Sequence, residues 1–546
     1  MHPLDIVLFC PALFGVLVLF TTQANTKAHH GLAIAGSAVT LLLSLLLLGS
    51  DPSATGQFRF ESNIAWLPGI GTNSQGVAYH VGVDGIGLLM VLMTTLIFPF
   101  IVGVSIPTIT ERTKEFYALL LFLETAILGT FVSLDLILFY IFYEAMLIPL
   151  YFIVGMWGGP KRVYAALKFF IYTMVGSMLM LVSIISIYHI TGSFDLVTNE
   201  QALPILLHQM GAHGSLIEML LFLGFFAAFA VKAPLWPFHS WVPDAYSEAP
   251  VGGSIALVAL KMGLFGFIRY CLPLFPDAVQ SAAPYIVALS VVGVIWAALT
   301  AAVQTDLRKL IAYSSISHIG VIMLAIFSLT SAGMSGAVVQ MFSHTFTTGG
   351  LFILAYYLAA RRGSYEIADY GGVWKKMPAF AAFFLIVTLS AIALPGTSGF
   401  TGEFLMLIGA FQTHPWAAGI ATSAAIWSAV YMLWMFQRVM HGPITKPEVE
   451  KMHDVPLHAS VGLVAIVVLI VWLGVLPNPV LRLINAPITI ILNLNQPAPA
   501  TPSPLSAPAS SAIMPVQPQY RLVSTRPQEV ASALAGALEG DKAVAR

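Results

Sequence analysis

Apolar runs, most of them about as long as a bilayer is thick, follow one another along this chain, and that succession leaves little choice of fold. The hydrocarbon of a membrane takes roughly 20 residues of helix. On that rule spans lie near 4–22, 31–49, 81–106, 116–134, 136–157, 164–190 and 216–241, and again near 249–272, 281–303, 311–330, 335–360, 378–412, 416–437 and 456–476. The predicted class is an all-α polytopic membrane protein of about 14 transmembrane helices. The first run, "LDIVLFCPALFGVLVLF", lacks a basic leader and a small-x-small cleavage site, so it is expected to stay as a membrane helix.

Composition narrows the function. Of 546 residues, 58% are hydrophobic and 9% charged, with a net charge of -1, a balance foreign to soluble domains. No basic surface suits nucleic acid, and no phosphate-cradling GxxxxGK[ST] loop occurs. Cys10 and Cys271 are far apart and sit in or beside apolar runs, and neither C-x-x-C nor H-E-x-x-H is present. No disulfide, Fe–S cluster or metal site is expected.

Loop charges set the orientation. The first connection and every second one after it carry Lys27, then Arg112 and Lys114, Lys161 and Arg162, Arg308 and Lys309. The same series continues with Arg361, Arg362, Lys375 and Lys376, then Arg438, Lys446 and Lys451, whereas the alternate loops hold Arg59, with Arg269 near a helix end. The positive-inside rule makes the first set cytoplasmic and puts both termini on the outer face of the membrane.

Two spans should be discontinuous. The seventh carries Pro234 and Pro237, and the twelfth carries "ALPGTSGFTGEF" with Pro395, Gly396 and Gly399. Proline removes a backbone donor and clashes with the preceding turn. Irregular backbone at membrane depth survives where protein or a water-filled cavity satisfies it, and paired breaks in two halves of a transporter point to its pathway. The breaks lie five spans apart, which predicts two five-helix repeats of opposite topology, at 116–272 and 281–440. Residues 1–115 would form three leading helices, 441–495 the last helix and its flank, and the Pro- and Ala-rich 496–546 a disordered outer tail.

Inside the spans stand Asp84, Glu124, Glu144, Lys232, Lys261, His318, His344 and Glu403. A central Lys or Asp costs at least about 2.5 kcal/mol in hydrocarbon, so such groups face the bundle interior and mark ion or proton pathways. A single histidine could be a hydrogen-bonded core residue, and Asp84 or Glu124 could anchor a helix end or a neighbour. Lysine in mid-helix offers no packing that leucine lacks. A proton relay through Glu144, Lys232, Lys261, His318, His344 and Glu403 is the reading, with Glu124 and Asp84 as secondary members. Asp135, at a span boundary, reads as a helix cap.

Five stretches carry a family resemblance: "FYEAMLIPLYFIVGMWGG", "KAPLWPFHSWVPDAYSEAPVGGSIALVALKMGLFGFIRY", "QTDLRKLIAYSSISHIG", "SHTFTTGGLFILAYYLA" and "LPGTSGFTGEFLML". Over roughly 80–475 the chain resembles the antiporter-like membrane subunits of respiratory complex I. The resemblance implies a Glu–Lys pair at Glu144 and Lys232, a connecting lysine at Lys261, central histidines at His318 and His344, and a terminal site at Glu403. Two sister subunits typically carry lysine at that terminal position, so the glutamate favours the third. It also implies that flavin, Fe–S clusters and quinone belong to partner subunits, with no cofactor on this chain. Its partners would be the other membrane subunits of the complex, the sister antiporter-like ones included, with the lipid bilayer and protons. The alternatives are a subunit of a multi-subunit cation/proton antiporter, or a non-conducting scaffold.

Overall fold

A computed structural model describes residues 2–49, 58–69, 76–444 and 446–495, and the expected tail at 496–546 lies outside them. The chain begins with α1 (Pro3–Phe20) and α2 (Thr26–Leu46), joined by a turn in which the Asn25 side chain accepts from the Ala28 N–H at 3.1 Å. An antiparallel hairpin follows, β1 (Arg59–Ala65) with β2 (Ala78–Val83). Next come α3 (Gly85–Ser105), α4 (Thr113–Val132), α5 (Leu136–Ala145), α6 (Leu147–Trp157), α7 (Arg162–Thr191), α8 (Leu196–Gln209) and α9 (Ala212–Lys232). After α9 stand α10 (Val242–Glu248), α11 (Val251–Ala259), α12 (Met262–Gly266), a π-helical turn at Phe267–Cys271 and α13 (Leu272–Leu274). The second half holds α14 (Pro276–Ala302), α15 (Leu307–Ile326), α16 (Ser331–Arg362), α17 (Pro378–Ala391), α18 (Ser398–Thr413) and α19 (Pro415–Met440). It closes with α20 (Pro447–Glu450), α21 (Leu457–Val475) and α22 (Asn478–Leu494).

Among the described residues twelve helices are long and apolar enough to cross a membrane, or thirteen if Ser460–Val475 and Asn478–Leu494, bent by 66°, make one span. The expected count of about 14 is corrected on this measure because 378–412 is no continuous helix. α17 has 14 residues and α18 has 16, each too short to cross alone. The backbone explains the gap. Pro395 has no N–H, Ala393 sits at φ 55° and Gly396 at φ 90°, and the Leu394 N–H turns back to Leu389 O at 3.0 Å.

The other expected break follows Lys232, the last residue of α9. Pro234 cannot donate to Ala230 O, so the Leu235 N–H does so at 2.9 Å, and the Trp241 indole N–H caps Val231 O at 2.9 Å. Two further interruptions were not anticipated. Met146 separates α5 from α6 beside Glu144, where Pro149 has no N–H for Ala145 O. Leu260 and Lys261 separate α11 from α12, with Lys261 at φ -91°, ψ 11°.

Burial places these breaks. The apolar windows of Val251–Leu274 and Ser331–Arg362 are 100% buried, whereas those of Arg162–Thr191 and Pro415–Met440 are 39% buried. The broken α11–α13 stretch and α16 are therefore central, while α7 and α19 leave much of their surface uncovered by the rest of the chain. Gly402 sets the close approach of α18 to α16, since a Cβ there would lie 2.4 Å from Gln340 Oε1.

One backbone device occurs twice. Asp135 caps α5, accepting from the N–H groups of Ile137 at 2.9 Å and Leu138 at 3.0 Å. The Leu136 N–H donates to Phe194 O at 2.9 Å and the Leu196 N–H to Leu134 O at 2.7 Å. Asp306 likewise caps α15, accepting from the Arg308 N–H at 2.7 Å. There the Leu307 N–H donates to Tyr365 O at 3.0 Å and the Ile367 N–H to Thr305 O at 2.9 Å. The long helices before these returning segments, α7 and α16, each end at a left-handed glycine, Gly192 at φ 75° and Gly363 at φ 80°. From 135 to 192 and from 306 to 363 the interval is the same, 57 positions.

Candidate functional site

The first break puts an ammonium in the interior. Lys232 is 2% exposed. Its Nζ donates to Tyr143 O at 3.0 Å and lies 3.7 Å from the centre of the Tyr143 ring. The Tyr143 hydroxyl is itself fixed, donating to Ala228 O at 3.0 Å. Carbonyl and ring face are dipole and quadrupole, not a full countercharge. Glu144 is half-buried, lies in the field of Lys232 without forming an ion pair, and leaves Oε1 buried with no partner.

Lys261 stands at the interruption between α11 and α12. The backbone of α12 comes directly against the end of α9, for a Cβ on Gly263 would lie 2.7 Å from Ala233 N and Phe229 O. Lys261 Nζ lies 3.0 Å from His344 Nδ1, and His344 Nε2 lies 3.3 Å from Thr348 Oγ1. A neutral His344 accepting from the ammonium through Nδ1 carries its own proton on Nε2. The His318 ring lies 5.9 Å from that of His344, and His318 Nε2 is buried without a partner.

Both histidines open on a polar chamber of about 10 Å³, lined in part by Ser314, Gln340, Ser343, Thr347 and Ser390. That is about the room one water needs. At the break between α17 and α18 the Ser343 hydroxyl donates to Ser398 Oγ at 2.7 Å, and Thr347 Oγ1 lies 2.9 Å from Ser390 Oγ. Beyond the chamber the Tyr431 hydroxyl donates to Ser314 Oγ at 3.0 Å, and Tyr431 lies in the field of Glu403. Glu403 is 4% exposed, with Oε2 unpartnered.

The two secondary candidates stand elsewhere. Asp84 caps α3, accepting from the Gly87 N–H at 2.8 Å, and takes a hydrogen bond from the Arg269 guanidinium, so both charges are compensated. Glu124 is fully buried on α4, which packs against α1 and α2, and no hydrogen bond joins it to the lysines and histidines of the proposed relay. Sequence reasoning passed over Tyr143, Thr348, Gln340, Ser314 and Tyr431. Only Tyr143 carried a signal, through its place beside Glu144. It also passed over Lys168, which pairs with Asp244 at 2.7 Å, and Glu218, whose carboxylate accepts from the N–H groups of Asp277 and Ala278 at the start of α14. Among the described residues no three His, Cys, Asp or Glu side chains are grouped to hold a metal ion.

Interrupted helices carrying sparsely compensated lysines and carboxyls define an ion-translocating membrane subunit, and comparison with known proteins narrows the class. Residues 133–428 match the transmembrane family described as NADH:quinone oxidoreductase/Mrp antiporter. Subunit M of NADH-quinone oxidoreductase from Rhodobacter capsulatus is 41% identical, over 88% of this chain and 94% of its own. The Mycobacterium tuberculosis subunit M is 36% identical, over 93% and 98%. A chain of Thermus thermophilus respiratory complex I with bound NADH superposes with a TM-score of 0.78 at 31% identity, over 90% of this chain and all of that one. A chain of the Dietzia Mrp complex shares the fold alone, with a TM-score of 0.77 at 19% identity. The chain belongs to the NADH:quinone oxidoreductase/Mrp antiporter family of transmembrane subunits, in its subunit M branch.

Proposed function

We propose that this chain is a proton-translocating subunit of M type in NADH:quinone oxidoreductase, driven by quinone reduction elsewhere in the complex. Its relatives support the setting, and the contact of Lys261 with His344, continued to His318, is the observation that carries the route. Flavin, Fe–S clusters and quinone belong, on this reading, to partner subunits, and sister antiporter-like subunits flank this one in the membrane.

The relay begins at Glu144 and Lys232. A buried ammonium is held only by what it touches. With Glu144 brought against Lys232, a full countercharge favours the charged lysine; with Glu144 withdrawn, carbonyl and ring compensate it less and the proton is released more readily. Lys261 receives the proton and passes it to Nδ1 of His344 as the imidazole gives up its Nε2 proton. His318, water in the polar chamber and Glu403 complete the path to release.

We read α17 and α18 together as one interrupted crossing and α21 as another, which restores fourteen crossings and puts both termini on the periplasmic face of the inner membrane. The units 116–272 and 281–440 are inverted five-helix repeats, after three leading helices in 1–115 and before the last helix and its flank in 441–495. The doubled Asp-capped device supports that reading, and so does position: Lys232 follows Asp135 by 97 positions, from 135 to 232, as Glu403 follows Asp306, from 306 to 403.

Proton uptake by inverted membrane vesicles tests the route. Lys261→Ala, at unchanged assembly on a native gel, should lose most pumping. Full pumping by that variant would remove the link between the halves.

A further inference from the structure

The layer formed by α1, α2 and α4 contains a titratable group that the relay leaves unused. Glu124 is 0% exposed, and both its carboxyl oxygens are buried without a hydrogen-bond partner. Helix α3 carries no titratable side chain, while α1 offers Asp5 and Cys10, α2 Lys27, His29 and His30, β2 Tyr79 and His80, α5 Tyr140, Tyr143 and Glu144, and α6 Tyr151. None of these bonds to Glu124, and among them the Cys10 thiol, beside Thr40, is the group whose field it shares. An ionised carboxylate there would stand with neither a hydrogen-bond donor nor a countercharge in contact. Leucine would pack in its place at lower cost.

Its surroundings lead in one direction. The end of α1 and the starts of α2 and α4 meet on the face that bears Lys27, Arg112 and Lys114, tied together by His29 Nδ1 to Thr113 Oγ1 at 2.8 Å and Lys114 Nζ to Thr21 O at 3.0 Å. Just inside that face the His30 ring stands edge-on to Tyr117, 5.3 Å between centres. His30 Nε2 and the Tyr117 hydroxyl are both buried and unpartnered. Tyr117 and Glu124 lie two turns apart on α4, about 10.5 Å along the axis. Unsatisfied polar atoms thus run inward from the basic-loop face and end at a carboxyl.

We propose that Glu124 is a proton-binding site, separate from the Lys–His chain, that fills and empties through the basic-loop face by way of His30 and Tyr117. The transfer moves one proton and no electrons. On this proposal, water entering between Tyr117 and Glu124 carries it across the interval.

Dicyclohexylcarbodiimide, which adds a protonated carboxyl across its C=N bond and rearranges to a stable N-acylurea, is a probe that does not depend on pumping. The intact complex in inverted vesicles is treated with it while the bath is varied over about pH 6 to 9 and the lumen is held constant. Reaction of Lys27 with an impermeant amine reagent fixes which face meets the bath. Mass spectrometry should find an adduct on Glu124, absent in Glu124→Gln, whose rate of formation falls severalfold as the bath pH rises. Tyr117→Phe should slow the response to a sudden change of bath pH. Absence of the adduct, a rate indifferent to bath pH, or one that follows the lumen would each overturn the proposal. The relay through Lys232 and Lys261 would stand in all three cases.

Discussion

Two of the interrupted stretches carry side chains of opposite charge type, Lys232 and Glu403, at the same interval of 97 positions from a capping aspartate. After α9 the chain leaves Lys232, a donor held by one carbonyl and one ring face. In α18 it leaves Glu403, an acceptor with one oxygen that meets no donor. Neither has a countercharge in contact. Asp84 and Arg269 show the contrast, for there a carboxylate has both a helix N-terminus and a guanidinium. Breaking one partner of such a buried pair strands the other charge, whereas a group that must cycle its proton needs surroundings tolerant of both states. Incomplete compensation, more than burial, distinguishes the proposed relay from the structural ion pair.

The comparison breaks first at the lysine. Lys232→Met and Glu144→Ala should each reduce proton uptake by at least about tenfold, at unchanged assembly. Lys232→Arg should fail too, because guanidinium keeps its proton at any physiological pH. The double variant Lys232→Ala with Glu144→Ala should pump little worse than either single change, since members of one unit are not additive. A fully pumping Lys232→Met complex would restore the scaffold reading.

At Glu403 the expected loss is smaller and depends on chemistry. Glu403→Gln keeps the shape and removes the titration, so pumping should fall severalfold, while Glu403→Asp keeps much of it. The Glu403 carboxyl acts on Tyr431 through its field, and the Tyr431 hydroxyl donates to Ser314, which lines the small chamber. Gln and wild type pumping alike, in the same vesicle assay, would confine proton release to the first half and end the equivalence.

How much of this was readable in the sequence depends on the signal's range. Lys232, Lys261 and Glu403 announce themselves because each is charged inside an apolar run, and Pro234 and Pro395 announce the breaks near two of them. The interruption at Lys261 has no proline. It depends on Gly263 and Gly266 letting α12 settle against Phe229 and Ala233, a packing fact between distant segments. Asp84 looked like a candidate site because its partner Arg269 is 185 positions away. Ser314 and Tyr431 matter only through a contact made 117 positions apart. The hairpin β1–β2 and helices α8 and α22 went unread because they are too short or too polar to register against a rule built on span length. The inverted repeat was inferred from two breaks, although the evenly spaced Asp135 and Asp306 were already in view.

Those two aspartates give the finest test of the equivalence. Replacing an N-cap Asp by Ala costs about 1 kcal/mol, and identical caps would lose identical stability. They are not identical. Asp135 also accepts from the Ala78 N–H of the hairpin at 3.1 Å, through Oδ2. Oδ2 of Asp306 instead meets the Arg308 guanidinium at 3.0 Å, in a pair that is partly exposed. A partly exposed ion pair between neighbours contributes little, whereas a backbone N–H deprived of its acceptor costs about 1–3 kcal/mol if it stays buried. Asp135→Ala should therefore lower the temperature at which the purified complex loses this subunit by more than Asp306→Ala does, with pumping below that temperature little changed in both. Equal shifts would mean that the hairpin contributes nothing to holding α5, and the first half would then be stabilised as the second is, by its helices alone.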